Sequence, residues 1–239
     1  MALLASYQFE NNVNDSSGNG KTGAVGGEAT FVTPGRVGSY AGLMDGVNDH
    51  FVLPIALGID NVVAMSWGGW FYWTSRADFE ALATHGTGAN SRLELLLGGS
   101  GAGANTGLLF AVTTSANVIF SAYSGAVLTN GQWYHVWANL NLAGATDADK
   151  MQIYVNGAPV ALTYVTGSSG APAATPDHAD GSTSIGRRHY NASLFQDGMV
   201  DDFLIHNQTL SQSAVMATMS GSSSLYSDMG LYGDMNLYE

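Results

Sequence analysis

Carboxylates have the widest chemistry of the side chains in this sequence, and their spacing shows which reactions they suit. A retaining glycosidase needs two carboxyl groups roughly 5–5.5 Å apart, one as nucleophile and one as acid. Glu94 in "RLELLL" has no acidic neighbour two or four residues further on, and Asp78 and Glu80 form one pair without a third acid. The carboxylates therefore do not predict a hydrolytic site.

The histidines and serines do not form a familiar catalytic pattern either. None of the six histidines falls at the spacing with which a helix presents a metal, and no Gly-X-Ser-X-Gly elbow occurs. A single histidine in an apolar strand, such as His135 in "WYHVW", is typical of a hydrogen-bonded residue within a sheet. We therefore predict that the protein is not an enzyme.

Oxygen donors in the loops suggest calcium, which takes six to eight oxygen ligands from carboxylates and carbonyls. The candidate ligands are Glu10, Asp15, Asn19, Asp45, Asp201 and Asp202. The alternative is that these side chains organise turns or face water, as Asp15 does if it forms an Asx-type turn with the serines that follow it. Calcium binding and turn formation both remain open from the residues alone.

The elements that must position these residues are strands. Segments with alternating apolar residues are separated by Gly- and Asn-rich turns, as in "ASYQF", "HFVLPI", "MSWGGWFYW", "RLELLLGG", "GLLFAVTT" and "VIFSAYSG". In "DKMQIYVNGAPVALTY", Asn156 and Gly157 are suited to the two positive-φ positions of a type I′ turn, which predicts a hairpin. Only "LSQSAVMATM" predicts a helix, with Ser211 as its N-cap. The predicted fold class is all-β with one short C-terminal helix.

The segment "MSWGGWFYW" carries aromatic residues on both faces of its predicted strand. Alternation places Trp67, Phe71 and Trp73 on one face, and Trp70 and Tyr72 on the other. This pattern predicts a central strand with one face in the core and the other in a covered or ligand-binding surface. Core packing is favoured over a sugar-stacking platform, because aromatic side chains supply core area more often than they bind ligands.

Composition favours one large all-β domain and excludes several classes of partner. The chain has 239 residues, of which 46% are hydrophobic and 31 are glycine. Its net charge is -12 and its seven basic residues form no stripe, so we predict no nucleic-acid binding. No stretch of about 20 apolar residues is present to span a membrane. Cysteine is absent, so no disulfide framework is expected.

The N-terminal segment "MALLASYQFENN" is predicted to be a first strand. No basic region precedes its short apolar run, so a standard signal peptide is not expected if Met1 is native. On that reading, the sequons at Asn14, Asn191 and Asn207 carry no glycosylation meaning.

Six segments, in this order, carry a family resemblance: "YQFENNVNDSSGNG", "GLMDGVNDHFVLP", "NGQWYHVWANLNL", "MQIYVNGAPV", "SIG" and "FQDGMVDDFLIHNQTLS". From about Leu4 to Met219 the chain resembles laminin-G-like, concanavalin A-type jelly-roll domains of lectins and adhesion modules. The resemblance implies a two-sheet antiparallel sandwich over residues 1–219. It also implies a structural calcium ion between the N-terminal loop and the last long strand, held first by Asp15 and Asp201. The Glu-X-Asp-X-Glu pattern of glucanases with a similar fold is absent.

Residues 220–239 form a second unit, in which the spacer "SGSSS" is followed by the repeat "LYSDMGLYGDMNLYE". In an extended strand, an even repeat separates an apolar stripe from a tyrosine stripe. The residues of these stripes are Leu225, Met229, Leu231, Met235 and Leu237, and Tyr226, Tyr232 and Tyr238. We predict an extended assembly arm that docks by strand addition to a neighbour. The alternative is a mobile terminus.

Together these features predict a non-catalytic binding or structural module. The setting that fits them best is a virion surface protein, such as a capsid-decoration, head-fibre or tail-associated protein, made in a host cytoplasm. Its expected partners are other virion or surface subunits, including copies of itself, and glycans are its candidate ligands. The alternative is an extracellular carbohydrate-binding module of a bacterial surface or secreted protein. The sequence does not predict which residues contact a glycan.

Overall fold

The computed structural model describes residues 2–75, 79–89, 91–98, 107–115, 118–125, 128–177 and 182–221. Within these ranges, sixteen strands form two antiparallel sheets of eight strands each. The sheets pack face to face around one apolar core, so the predicted all-β sandwich is confirmed. Apart from Ser220 and Gly221, the predicted arm lies outside the described residues, and so do its apolar and tyrosine stripes.

The strands are numbered in chain order. Sheet 1 contains β1 (Leu3–Tyr7), β3 (Thr30–Val32), β4 (Ala41–Asp45), β6 (Ala64–Trp73), β11 (Trp133–Asn141), β12 (Met151–Val155), β13 (Ala158–Pro159) and β16 (Asp197–His206). Sheet 2 contains β2 (Ala24–Gly26), β5 (His50–Leu53), β7 (Phe79–Gly88), β8 (Ser91–Gly98), β9 (Leu108–Ser115), β10 (Val118–Ser124), β14 (Leu162–Thr166) and β15 (Ser182–Ile185).

The order of neighbours differs from the order along the chain. Sheet 1 runs β13-β12-β11-β6-β16-β4-β3, and β1 also pairs with β16. Sheet 2 runs β14-β10-β9-β8-β7-β15-β5-β2. Most neighbours are therefore distant in sequence, and long-range packing rather than local turns holds the sandwich together.

Strand β6 lies at the centre of sheet 1, between β11 and β16, as its aromatic pattern predicts. Trp67, Phe71 and Trp73 point into the core and are fully buried. Each such side chain contributes roughly 3–5 kcal/mol, judged by the cost of truncating a buried aromatic to alanine. The core-packing interpretation of this face is confirmed.

The predicted hairpin at Asn156-Gly157 is confirmed, but its second strand is short. Asn156 has φ 51° and Gly157 has φ 76°, which are the two positive values that a type I′ turn requires. The returning strand β13 covers only Ala158–Pro159, and one further backbone bond follows it, from the N–H of Val160 to the carbonyl oxygen of Ile153 at 3.0 Å. The chain then crosses to sheet 2, where the rest of the apolar run forms β14 beside β10.

Two short α-helices occur in the described part of the chain. The predicted helix is α2 (Gln212–Thr218), in which the Ser211 side chain caps the N–H of Ala214. A single turn, α1 (Asp147–Lys150), was not predicted, since four residues are too few to show helical periodicity. No described helix is long and apolar enough to cross a membrane.

Helix α2 covers part of the outer face of sheet 1. Its Ala214 and Val215 pack with Trp137, Tyr154 and Leu204 of the sheet in a second apolar cluster. Burial of such side chains contributes roughly 1.5–3 kcal/mol each, which fixes a helix too short to be stable alone. This part of the outer face of sheet 1 is thus covered by the chain's own residues.

Candidate functional site

The carboxylate of Asp15 is used by the backbone of its own loop. Its oxygens accept hydrogen bonds from the N–H groups of Ser6 at 3.0 Å, Ser17 at 2.9 Å and Lys21 at 2.9 Å. Burial opposes ionisation of Asp15, but hydrogen bonds from Ser17, Lys21 and Ser6 outweigh it and lower the pKa. Asp15 therefore forms the Asx-type turn and ties the N-terminal loop to β1.

Asp201 organises a different loop. Its Oδ2 accepts from the N–H groups of Arg36 at 2.8 Å and Val37 at 2.9 Å, and its Oδ1 accepts from the N–H of Asp202 at 2.9 Å. Burial raises the pKa of Asp201 to about 7, although the hydrogen bonds work against it. The described residues contain no group of three or more His, Asp or Glu side chains arranged to hold a metal ion.

Asp202 is the one predicted calcium ligand whose carboxylate keeps a buried oxygen without a partner. It lies in a β-bulge of β16 opposite Gly69, with φ 45° and 6% of its surface exposed. Its Oδ2 accepts no hydrogen bond. Burial and the charge of Glu10 raise the pKa of Asp202 to about 6. Glu10 itself accepts from the N–H groups of Ser39 at 2.8 Å and Tyr40 at 3.4 Å.

The two remaining calcium candidates have local roles. Asp45 accepts hydrogen bonds from the N–H groups of the turn that follows it, beginning with Val47 at 2.9 Å. Asn19 donates through Nδ2 to the carbonyl oxygen of Leu3 at 2.8 Å. Neither side chain is brought together with Asp202.

The outward aromatics of β6 are only partly open to a ligand. Trp70 is buried, donates to the carbonyl oxygen of Met219 at 3.3 Å, and has the guanidinium of Arg36 at 4.1 Å from its ring centroid. Tyr72 is half-buried, with its ring 5.7 Å from that of Trp133. The Trp70 half of this face therefore serves packing against the end of α2.

The outer face of sheet 2 carries a charged cluster that the sequence analysis missed. Glu94 is buried, and its Oε1 accepts from Nε of Arg188 at 2.6 Å. Its Oε2 accepts from Nε of Arg92 at 2.8 Å and from Nη2 of Arg188 at 3.4 Å. The ring of Tyr190 lies 5.8 Å from the guanidinium carbon of Arg92 and 5.5 Å from that of Arg188. These four residues are called the arginine cluster below.

Alternation along β8 produces half of the arginine cluster. Leu93, Leu95 and Leu97 point into the core, so Arg92 and Glu94 project from the outer face. The alternation in "RLELLL" already places Arg92 and Glu94 on one face of the strand. Nothing in the sequence predicts which residues from elsewhere in the chain lie over that face.

The loop after β15 supplies the other half. Its 3-10 helix, His189–Asn191, is anchored to β7 because the N–H of His189 donates to Oγ1 of Thr84 at 3.0 Å. The Thr84 hydroxyl in turn donates to the carbonyl oxygen of Arg187 at 2.9 Å, and Ser184 Oγ lies 2.9 Å from His189 Nδ1. These bonds hold the loop across the face and bring Arg188 to Glu94, 94 residues earlier in the chain.

Beside the arginine cluster the same face has a floor of small side chains. Glu94 is in register with Ala111 of β9, and Ala111 with Ser121 of β10. The neighbouring row ends at Tyr123, which is half-buried. Arg92 gives only its Nε to Glu94, so its two Nη nitrogens have no partner among the described residues. The face thus places free N–H donors and an aromatic ring beside small side chains, which makes it the candidate binding surface.

The two packed antiparallel sheets define a jelly-roll β-sandwich. The chain belongs to the Laminin_G_3 family of the Concanavalin A-like lectin/glucanases superfamily, whose profile matches residues 45–216. The resemblance that the sequence carries is thus confirmed. No curated protein sequence matches the chain at a significant level.

Solved structures share the fold at low identity. Domain 4 of AbnA, a GH43 extracellular arabinanase from Geobacillus stearothermophilus in complex with arabinotriose, matches with TM-score 0.68 and 21% identity over 91% of this chain and 98% of that one. The binding domain of Paraclostridial Mosquitocidal Protein 1 matches with TM-score 0.65 and 14% identity over 92% of this chain and 52% of that one. The binding domain of botulinum neurotoxin serotype D matches with TM-score 0.63 and 16% identity over 92% of this chain and 52% of that one. The chain spans about half the length of these toxin binding domains.

Proposed function

We propose that this protein is a non-catalytic binding module that holds a glycan on the outer face of sheet 2. The observation that carries the proposal is the arginine cluster, in which Glu94 orients two guanidinium groups beside Tyr190. The donors of Arg92 that Glu94 leaves free can then bind sugar hydroxyls. Both oxygens of Glu94 are occupied by guanidinium groups, which suits an orienting residue better than an acid or a nucleophile.

Two further observations support this face. The outer face of sheet 1 is partly covered by α2, whereas the arginine cluster adjoins the small residues Ala111 and Ser121. A domain of the same fold was solved with arabinotriose, which makes an oligosaccharide the first class of ligand to test.

The test is binding to a panel of neutral and acidic oligosaccharides by calorimetry. Arg92→Gln should weaken binding roughly tenfold or more, because charge-assisted hydrogen bonds contribute about 1.5–3 kcal/mol. Tyr190→Ala should also weaken binding, because it removes the ring that lies beside both guanidinium groups. Lys150→Gln, in α1, is the matched control for loss of a positive charge and should bind like the wild type. Unchanged binding in both cluster variants, with intact folds, would show that the glycan binds elsewhere.

We also propose that the module is displayed on a virion and that residues 220–239 join it to its partner subunits, including further copies of itself. The even repeat with its two stripes supports this role. Truncation after Gly221 should leave a folded sandwich of lower mass in native mass spectrometry, without its oligomer or particle. The alternative, a carbohydrate-binding module of a bacterial surface or secreted protein, is favoured by the likeness to the arabinanase domain. It predicts a monomer with or without these residues.

We propose that the protein binds a structural calcium ion through Asp202 and Glu10 rather than through Asp15 and Asp201. The carboxylates of Asp15 and Asp201 each accept three N–H groups, which leaves little capacity for an ion. The unpartnered Oδ2 of Asp202, beside the charge of Glu10, supports these two carboxylates as the ligands, completed by carbonyl oxygens and water. Chelation should then lower the melting temperature, and Asp202→Asn should remove that sensitivity.

A further inference from the structure

The outer face of sheet 2 concentrates positive charge in an otherwise acidic protein. Three of the seven basic residues of the chain, Arg92, Arg187 and Arg188, lie on this face or at its edge, although the net charge is -12. Glu94 neutralises one of them, so three positive charges and one negative charge leave a net charge of +2. Arg92 and Arg188 share the single negative charge of Glu94, and the excess positive charge favours an anionic partner.

Among the described residues, Arg187 is the cation of this group that has no partner. It makes no ion pair or side-chain hydrogen bond with any residue that the structure describes, and its Nε is buried without an acceptor. Burial lowers the pKa of Arg187, yet a guanidinium stays charged at neutral pH. A buried donor without an acceptor destabilises the folded state unless a ligand satisfies it.

Arg187 is held at a defined place next to the arginine cluster. Its carbonyl oxygen accepts from Thr84, which also accepts from the N–H of His189, so Arg187 and His189 share one anchor. Strand β15 ends at Ile185, two residues before Arg187, and Ile185 pairs with Phe51 of β5. The residue before Phe51 in β5 is His50. Arg187 therefore lies between His50 and the arginine cluster.

The two histidines are neutral at pH 7 and leave the charge of Arg187 uncompensated. Burial lowers the pKa of His189 to about 4, with the charge of Arg187 as a further cause, and it also lowers the pKa of His50. Asp49 acts on His50 through its charge, but among the described residues it makes no ion pair with Arg187, and its Oδ1 accepts from the N–H of Glu28 at 2.6 Å. When Nδ1 of the neutral His189 accepts from the Ser184 hydroxyl, Nε2 carries the ring proton and can donate it to a ligand that Arg187 attracts.

We infer that the ligand of this face is an anionic saccharide, and that Arg187 and His189 bind its anionic group. The inference rests on the proposed glycan binding and adds the chemical class of the glycan. A guanidinium fork matches the paired oxygens of a carboxylate or a sulfate, and a partly buried site strengthens the interaction because water screens it less. The arginine cluster then binds the hydroxyl groups of the adjoining sugar.

The test uses charged saccharides with matched neutral counterparts. Oligogalacturonate is compared with its methyl ester, and dextran sulfate with dextran, by calorimetry at low and high salt. The wild type should bind at least one charged probe roughly 10- to 100-fold more tightly than its neutral counterpart, and high salt should reduce the difference. The two arms show whether a carboxylate or a sulfate is preferred.

Variants at Arg187 identify the site. Arg187→Gln should remove the preference for the charged probe and leave binding of the neutral one unchanged, while Arg187→Lys should keep part of it. His189→Gln, which retains a donor, should weaken the charged probe less than Arg187→Gln does. Equal affinity for charged and neutral probes, or a charge preference that survives Arg187→Gln, would overturn the inference.

The proposed function fails in a different way. If neutral saccharides bind and Arg92→Gln weakens them without any charge preference, the ligand class is wrong and the glycan site stands. If no probe of either kind binds, both are wrong. Melting curves of each variant separate loss of binding from loss of folding.

Discussion

Replacing Asp202 with asparagine should stabilise the protein at alkaline pH. The change removes a buried carboxylate whose Oδ2 has no hydrogen-bond donor, and asparagine tolerates the φ of 45° as well as aspartate does. Burial and the charge of Glu10 raise the pKa of Asp202 from 3.8 to about 6. A shift of about two units corresponds to roughly 3 kcal/mol, which is the upper limit of the gain, because the new amide is also buried.

The gain should depend on pH in a defined direction. Because the pKa of Asp202 is higher in the folded state than in the unfolded state, the folded state binds more protons between about pH 4 and pH 6. Below pH 4 the Asp202 carboxyl is therefore protonated in both states and does not destabilise the wild type. As the pH rises through about 6, the buried carboxylate ionises and the wild type loses stability. Asp202→Asn should raise the melting temperature by roughly 5–10 °C at pH 8 if most of the gain is realised, and by little at pH 4.

Calorimetric melting curves at pH 4 and pH 8, each measured with EDTA and with calcium, distinguish the effect of protonation on stability from the effect of calcium binding. With calcium at pH 8, the wild type should gain stability and Asp202→Asn should not, if Asp202 is a ligand. Asp147→Asn, which changes an exposed carboxylate at the start of α1, is the control and should change little. A lower melting temperature for Asp202→Asn at pH 8 in EDTA, or an equal shift at both pH values, would refute the reasoning.

Three further substitutions test the packing that positions the site. Gly69→Ala should destabilise the protein by about 1–3 kcal/mol in a urea titration, since its Cβ would lie 2.9 Å from the Cα of Phe203 in the bulge of β16. Glu94→Ala should cost roughly 1.5–3 kcal/mol and abolish glycan binding, because the partly buried guanidinium groups of Arg92 and Arg188 lose their shared acceptor; a smaller cost than that of Arg92→Gln would contradict this. Ser211→Ala should cost about 1 kcal/mol through loss of the cap at Ala214, visible as faster hydrogen exchange in α2; unchanged exchange would argue against the cap.

Features that depend on neighbours along the chain were predictable from the residues alone. Alternation identified β6 as a central strand because side chains on a strand change face at every residue. The turn at Asn156 and Gly157 followed from their tolerance of positive φ, and the helix cap at Ser211 from a hydroxyl placed before an apolar run. Each of these features involves atoms only a few residues apart.

The arrangement of the charged groups depended on contacts between distant segments. Asp15 and Asp201 looked like ligands of one ion, but each is used by the backbone of a separate loop, which no spacing in the sequence reveals. Glu94 appeared as an isolated acid until the loop after β15 crossed sheet 2 and brought Arg188 to it. The alternation along a strand determines which face a side chain occupies. The residues opposite that side chain depend on the register and order of the strands, which are selected by packing of the whole core.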